Sequence, residues 1–357
     1  MRKSTHINNF DGLRAIAVLL VVLFHGTYGV VKGGWIGVDI FFILSGYLIT
    51  SLLKNEYVLT DKLLLTKFYL KRILRLMPAL LLCILLNNLL WNYVPHPPEA
   101  DRLLATVASL LYAGNVVSPL ALSPLGVVWS LSVEEHFYFM WPPLLTLVIL
   151  RLPDKKKTIA LAIAILAIGA LRLVMYRYFS VLKYGIFEID AYRFTFCRLD
   201  TILIGALLAL LPAGQLRHVA RFCSTPFVAL ATWALIAVTS LTVYTDNVYY
   251  QNGGFMLTNL LCLSTVLFAI NKPDNLWLSN KVVTWIGRRS YGIYLYHTPI
   301  FLVLEHFRIP GNKLNLLVIM VLRFAVTMLL AELSYRYLEQ PILRKYSPKA
   351  KPQIAIS

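Results

Sequence analysis

The chain has 357 residues, 58% of them hydrophobic and 14% charged, against ~45–50% apolar and ~25% charged residues in a typical soluble domain. That composition excludes a soluble globular enzyme and a disordered chain. It leaves an all-α, polytopic membrane bundle, read as one integral-membrane domain over 1–357 with a membrane core at about 11–342 and a cytoplasmic tail at 343–357. The net charge of +17 sits in short loops between apolar runs, which points to membrane lipids and cytoplasmic loops and away from nucleic acid.

Apolar runs long enough to span lie near 13–31, 35–53, 72–93, 129–150, 158–178, 199–211, 227–244, 255–270, 291–307 and 314–338, about ten crossings at ~20 residues each. The run 103–117 is shorter and is followed by Pro119 and Pro124. If it does not cross, one side of the membrane receives Arg2, Lys3, the 54–75 segment, Arg151, Lys155–Lys157, Arg217, Arg221, the 272–289 segment and the 344–351 tail. The other side then receives mainly Lys32, Arg102, Lys183, Arg193, Arg308 and Lys313. The positive-inside rule therefore predicts a re-entrant or surface helix at 103–117 and both termini in the cytoplasm. The four cysteines are isolated, with no metal-ligand spacing, and no disulfide or metal is expected. The first apolar run carries Arg14 and His25 and lacks a small-residue cleavage pattern, so it is not read as a signal peptide.

In chain order, the first helix holds the most telling pair. Arg14 and His25 are eleven residues apart, which returns to within about 20° of the same face over a rise of roughly 16 Å. Ionisable groups at such depth usually mark a substrate or proton path. The plainer reading is a helix-end arginine and a histidine bonded to a neighbouring helix. Asp11 reads as an N-cap or an i,i+3 partner of Arg14. In the second helix, Gly34, Gly37 and Gly46 permit close helix approach, while Asp39 either orients an imidazole or caps the helix. Arg72 and Arg75 share one face of the third helix, suited to phosphate or to snorkelling towards lipid.

The fourth crossing opens on WSLSVEEHFY. Helix arithmetic puts Glu134 and Glu135 about 8–9 Å from the outer surface and His25 about 12 Å from it; adjacent residues point ~100° apart, so at most one glutamate faces His25 well. Ser130 and Ser132 are alternative nucleophiles or packing serines. The outer segment 179–198 mixes aromatics with Glu188, Asp190 and Arg193, which suits a sugar or an interfacial aromatic belt alike. Asp200 starts the sixth crossing beside Arg198. Arg288 and Arg289 enter the ninth, which continues to His297 and Pro299, a kink or a satisfied histidine. Arg336 and Glu339 read as an i,i+3 pair at the membrane edge.

Taken together, FDGLRAIAVLLVVLFH, GGWIGVDIFFILSGYLIT, KRILRLMP, VVWSLSVEEHFY, RLDTILIG, GRRSYGIYLYHTP and YRYLEQP resemble, in that order, the acyltransferase-3 family of membrane-bound acyltransferases. His136 stands where the family commonly has glutamine, and Thr298 follows His297 where an aromatic is common. With little chain after the last crossing, the expectation is the stand-alone form without an extracytoplasmic esterase-like domain.

The resemblance implies transfer of an acyl group, most often acetyl, from acyl-CoA to a carbohydrate or glycolipid hydroxyl, such as lipopolysaccharide O-antigen or exopolysaccharide, in the bacterial inner membrane. It implies no bound cofactor. Arg14, Arg72, Arg75, Arg288 and Arg289 would hold the acyl-CoA phosphates at the cytoplasmic mouth. His25 would remove the acceptor proton with Glu134 or Glu135 as orienting carboxylate. Asp11, Asp39, Ser130, Asp200 and His297 are accessory candidates. Direct transfer and a covalent intermediate both fit. A transporter or flippase of a lipid-linked saccharide is the alternative that buried charges in about ten helices also allow.

Overall fold

The computed structural model describes residues 8–93, 97–179, 181–244, 247–272 and 275–346. The expected basic pair Arg2/Lys3, part of the proline-rich 93–101 loop and the tail beyond 346 lie outside the described residues. The elements are α1 (Asn8–Gly26), α2 (Ile36–Thr60), α3 (Leu65–Leu90), α4 (Arg102–Leu110), α5 (Trp129–Leu147), α6 (Asp154–Val174), β1 (Val181–Tyr184), β2 (Phe187–Asp190), α7 (Thr195–Leu210), α8 (Ala213–Cys223), α9 (Pro226–Thr242), α10 (Asn247–Gln251), α11 (Gly254–Asn271), α12 (Lys281–Arg288), α13 (Ser290–Glu305), α14 (Lys313–Ser334) and α15 (Gln340–Tyr346).

Every apolar run is helical, on α1, α2, α3, α5, α6, α7, α9, α11, α13 or α14. Six described helices are long and apolar enough to cross a membrane alone, and α7 with α8, bent by 119° at their break, adds a seventh as a broken span. The 103–117 segment forms only the nine-residue α4. At ~1.5 Å per residue that is under half of a ~30 Å hydrocarbon core, so α4 is too short to cross.

Glycines set the helix spacing around α2. A Cβ at Gly46 would stand 1.9 Å from the Ile202 carbonyl oxygen on α7, and one at Gly205 2.0 Å from the Ile43 carbonyl oxygen on α2. Real carbon–oxygen contacts are never that short, so only hydrogen fits at either position. Gly37 lies against the Ala17 carbonyl of α1 in the same way, and Gly287 of α12 against that of Asp11. In lipid, where apolar burial does not drive helices together, such backbone approach is what packs them.

Two departures from the expected all-helical pattern matter. Within the outer 179–198 segment, β1 and β2 pair antiparallel with Tyr184 opposite Phe187, around Gly185 at φ +57°. A bridge from Phe187 to Val117 fastens this hairpin to the segment after α4. Arg193 ties the junction, bonding Glu188 at 2.7 Å, Asp190 at 2.5 Å and the Val117 carbonyl at 2.9 Å. The three charged residues that suited a sugar are thus bonded mainly to one another. At the other departure, residues Tyr335–Glu339 form a π-helical turn, whose wider repeat removes the i,i+3 alignment. Glu339 accepts from Ser334 at 3.0 Å, and Arg336 lies over the Tyr337 ring. The expected Arg336–Glu339 pair gives way to these contacts.

The glycine contacts are testable by thermal unfolding of detergent-solubilised protein. Gly46→Ala or Gly205→Ala should destabilise by about 1–3 kcal/mol through overpacking. Gly214→Ala on α8, where a Cβ meets nothing within 4 Å, should be neutral or slightly stabilising, as alanine in a helix is. Equal unfolding temperatures for all three would mean that α2 and α7 tolerate separation.

Candidate active site

Two cavities open inside the bundle. The inner one, with about 740 Å³ of empty space, is lined by Arg14 of α1, Ser45 of α2, Arg72 and Arg75 of α3, and Glu134 and Tyr138 of α5. Three guanidiniums thus face one carboxylate. Their positions follow from the sequence spacing: Arg72 and Arg75 are one turn apart on α3, and Arg14 sits one turn above Asp11, which holds it at 3.4 Å. Arg72 also lies over the Tyr138 ring, 4.9 Å from its centroid, which orients the guanidinium plane. Ser45 donates to Glu134 at 2.5 Å.

Not all the expected basic residues join them. Arg288 pairs with Asp11 at 3.0 Å and Arg289 pairs with Glu332 while lying over the Trp285 and Tyr335 rings. Neither lines the inner cavity, although Ser290, Tyr291 and Tyr294 of the same motif do.

The outer cavity is lined by His25 and Phe24 of α1, Trp129, Thr298 of α13, and Tyr192 with Arg193 after the hairpin. His25 is exposed to it. The nearest polar neighbours of its ring are the Val21 carbonyl, 3.0 Å from Nδ1, and His297 Nε2, 3.2 Å from the same nitrogen. His297 is fully buried, and its Nδ1 lies 2.6 Å from the Tyr294 carbonyl. A carbonyl oxygen only accepts, so Nδ1 carries the proton in both rings. His25 Nδ1–H is then shared between Val21 and the lone pair of His297 Nε2, and His25 Nε2 keeps its own lone pair. That is the protonation pattern a general base needs.

The side chain beside His25 is His297, whereas Glu134 lines the other cavity. The depth arithmetic assumed that α5 starts at the outer surface. Instead the segment before α5 folds into the bundle, with Val117, Leu122, Leu125 and Val128 all buried. Glu134 lines the same cavity as Arg14, Arg72 and Arg75. Glu135 points elsewhere, its Oε1 buried without a hydrogen-bond partner.

The remaining candidates form structural pairs. Asp39 accepts from Arg198 at 2.5 Å, with both side chains at most 1% exposed. The guanidinium is enclosed by the Phe42, Trp129 and Tyr192 rings. Asp200 bonds Arg172 at 3.3 Å and Asn259 at 3.1 Å. Ser130 shares a 2.7 Å hydrogen bond with Tyr294. Arg172 was not singled out from the sequence, though a lone arginine inside an apolar run is itself a signal of a buried partner. Tyr294 went unnoticed inside a motif read for its arginines and its histidine.

The acyltransferase-domain family matches residues 7–333, and the chain belongs to this acyltransferase-3 family. It is 30% identical over 380 residues to the O-acetyltransferase OatA of Staphylococcus aureus strain MRSA252, which covers 99% of this chain and 61% of that protein. A protein of S. aureus strain COL, provisionally named O-acetyltransferase SACOL0978, is 30% identical over 98% of this chain and 59% of its own length. The chain thus spans about three-fifths of the length of these relatives. No solved structure matches it.

A mutant cycle tests whether the buried pairs serve the fold alone. Asp39→Asn alone should destabilise by about 3–5 kcal/mol, because it strands the Arg198 charge. Asp39→Leu combined with Arg198→Met should recover most of that loss in the same unfolding assay. A double variant as unstable as the single one would assign the pair a role beyond charge neutralisation.

Proposed function

We propose that this protein is a membrane O-acetyltransferase, moving an acetyl group from acyl-CoA at the inner cavity to a hydroxyl of a carbohydrate-type acceptor at the outer cavity. The observation that carries the reading is the adjacency of an arginine-lined cavity and a histidine-lined one inside a single bundle. The family membership and the O-acetyltransferase relatives support it. The reading includes ten crossings in a bacterial inner membrane with both termini cytoplasmic, as the basic loops favour.

In this reaction Arg14, Arg72 and Arg75 bind the donor phosphates, for which guanidinium forks are well matched. The thin pantetheine arm carries the thioester towards the outer cavity. His25 Nε2 takes the acceptor hydroxyl proton, and the oxygen attacks the thioester carbon. The C–O bond forms as the C–S bond breaks, and the leaving thiolate takes the proton from His25. His297 fixes the His25 ring and accepts from Nδ1–H while the imidazolium exists. Glu134 positions Ser45 beside the donor arm.

Membrane vesicles supplied with radiolabelled acetyl-CoA test the reading. Label on the acceptor supports transfer, whereas saccharide translocation without donor consumption would identify a carrier. Arg72→Ala or Arg75→Ala should raise the KM for acetyl-CoA roughly tenfold to a hundredfold, the worth of one charged hydrogen bond, with less effect on kcat. His25→Ala should lower transfer by about 10²–10⁴ in a folded protein. His297→Ala should lower kcat without changing the donor KM. A His25→Ala variant with normal turnover would remove it as the base.

A further inference from the structure

The two cavities share two lining residues, Val38 of α2 and Tyr294 of α13. Both side chains are buried, and since each lines both cavities they stand between the two spaces. The backbone beside them divides in the same way. Val127 and Trp129 border the outer cavity, while Ser130 and Leu131 border the inner.

This wall is stiff on both sides. Tyr294 donates its hydroxyl proton to the Val127 carbonyl at 2.9 Å and lies 2.7 Å from the Ser130 hydroxyl. Its own carbonyl receives His297 Nδ1–H. Val38 is β-branched, with one strongly preferred rotamer in a helix, and its neighbour Asp39 is held in the ion pair with Arg198. Neither residue has the adaptability of an unbranched side chain.

We propose that Val38 and Tyr294 form the constriction that selects the acyl group, admitting a two-carbon acyl and rejecting longer chains. The inference rests on the reading of an acyl-CoA donor inside and a hydroxyl acceptor outside. The donor phosphates stay at the arginines, and the acceptor oxygen stays beside His25. Only the thioester end has to reach the wall, to bring carbon and oxygen within ~3–3.5 Å. There the C–S bond breaks, the C–O bond forms, and the hydroxyl proton passes through His25 to the departing thiolate. The wall contributes no atom to this exchange. It determines how much acyl chain can lie at the crossing point, where each extra methylene costs about 10–200-fold in discrimination.

The test uses membranes of the native host carrying the full chain, with radiolabelled acetyl-CoA and butyryl-CoA as competing donors and the host's own envelope glycans as acceptor. Variants are compared at equal amounts of monodisperse protein. The wild type should favour acetyl, and Val38→Ala should raise the butyryl-to-acetyl ratio at least about tenfold. Tyr294→Phe, which keeps the ring but loses both hydroxyl contacts, should raise it by a smaller factor. Val38→Trp should block transfer of both acyl groups while still binding acetyl-CoA. A wild type that transfers acetyl, with a ratio unmoved by Val38→Ala and Tyr294→Phe, overturns the constriction and leaves the reaction standing. Transfer from neither donor by the wild type sinks the acyl-CoA reading, and the constriction with it.

Discussion

The structure depends on how closely backbone can approach backbone at α2. On one side Gly37 meets α1, and on the other Gly46 and Gly205 bring α2 and α7 into mutual contact. Lipid tails are as apolar as the side chains they would replace, so helices associate here through dense packing and polar contacts. Everything α2 carries inherits this placement. Val38 reaches the wall between the cavities, Asp39 meets Arg198, and Ser45 meets Glu134. Displacing α2 by the width of one methyl group would disturb all three.

Charge placement follows the same economy. Carboxylates that pair with arginine inside the bundle leave no lone buried ion, which would cost several kcal/mol. Asp39–Arg198 and Asp200–Arg172 are neutralised in this way. Around the inner cavity the balance is deliberately incomplete. Arg14, Arg72 and Arg75 line it with Glu134, and since Asp11 already holds Arg14, the positive excess that would attract an anionic ligand lies at Arg72 and Arg75.

The helices were legible because lipid demands long apolar stretches that satisfy their own backbone bonds, and a sequence shows such stretches directly. The shared face of Arg72 and Arg75 was legible too, since helical periodicity aligns residues three or four apart; that Arg14 of α1 lines the same cavity follows from helix packing. What stayed hidden depended on tertiary placement. Glu134 lines the arginine cavity and His25 the other one, and periodicity carries no information on which neighbouring helix a side chain meets. Arg288 and Arg289 were read as part of the basic mouth, but nearby carboxylates on α1 and α14 claim them. The hairpin escaped notice because a short strand pair with mixed exposure looks like any aromatic loop. His297 as the partner of His25 was beyond reach for a similar reason, since two residues 272 positions apart share no local pattern.

The walls of the two cavities differ in kind. The inner one is built almost wholly from helices locked by backbone contact, whereas much of the outer one comes from the connecting segments around residues 119–127 and 190–193. Loops of that sort accept insertions and replacements that packed helices do not. A lineage could therefore exchange these segments and reshape the cavity they line while the helix-walled cavity stayed intact. For an engineer the same asymmetry marks where to graft: the loop-walled cavity tolerates replacements that the helix-walled one does not.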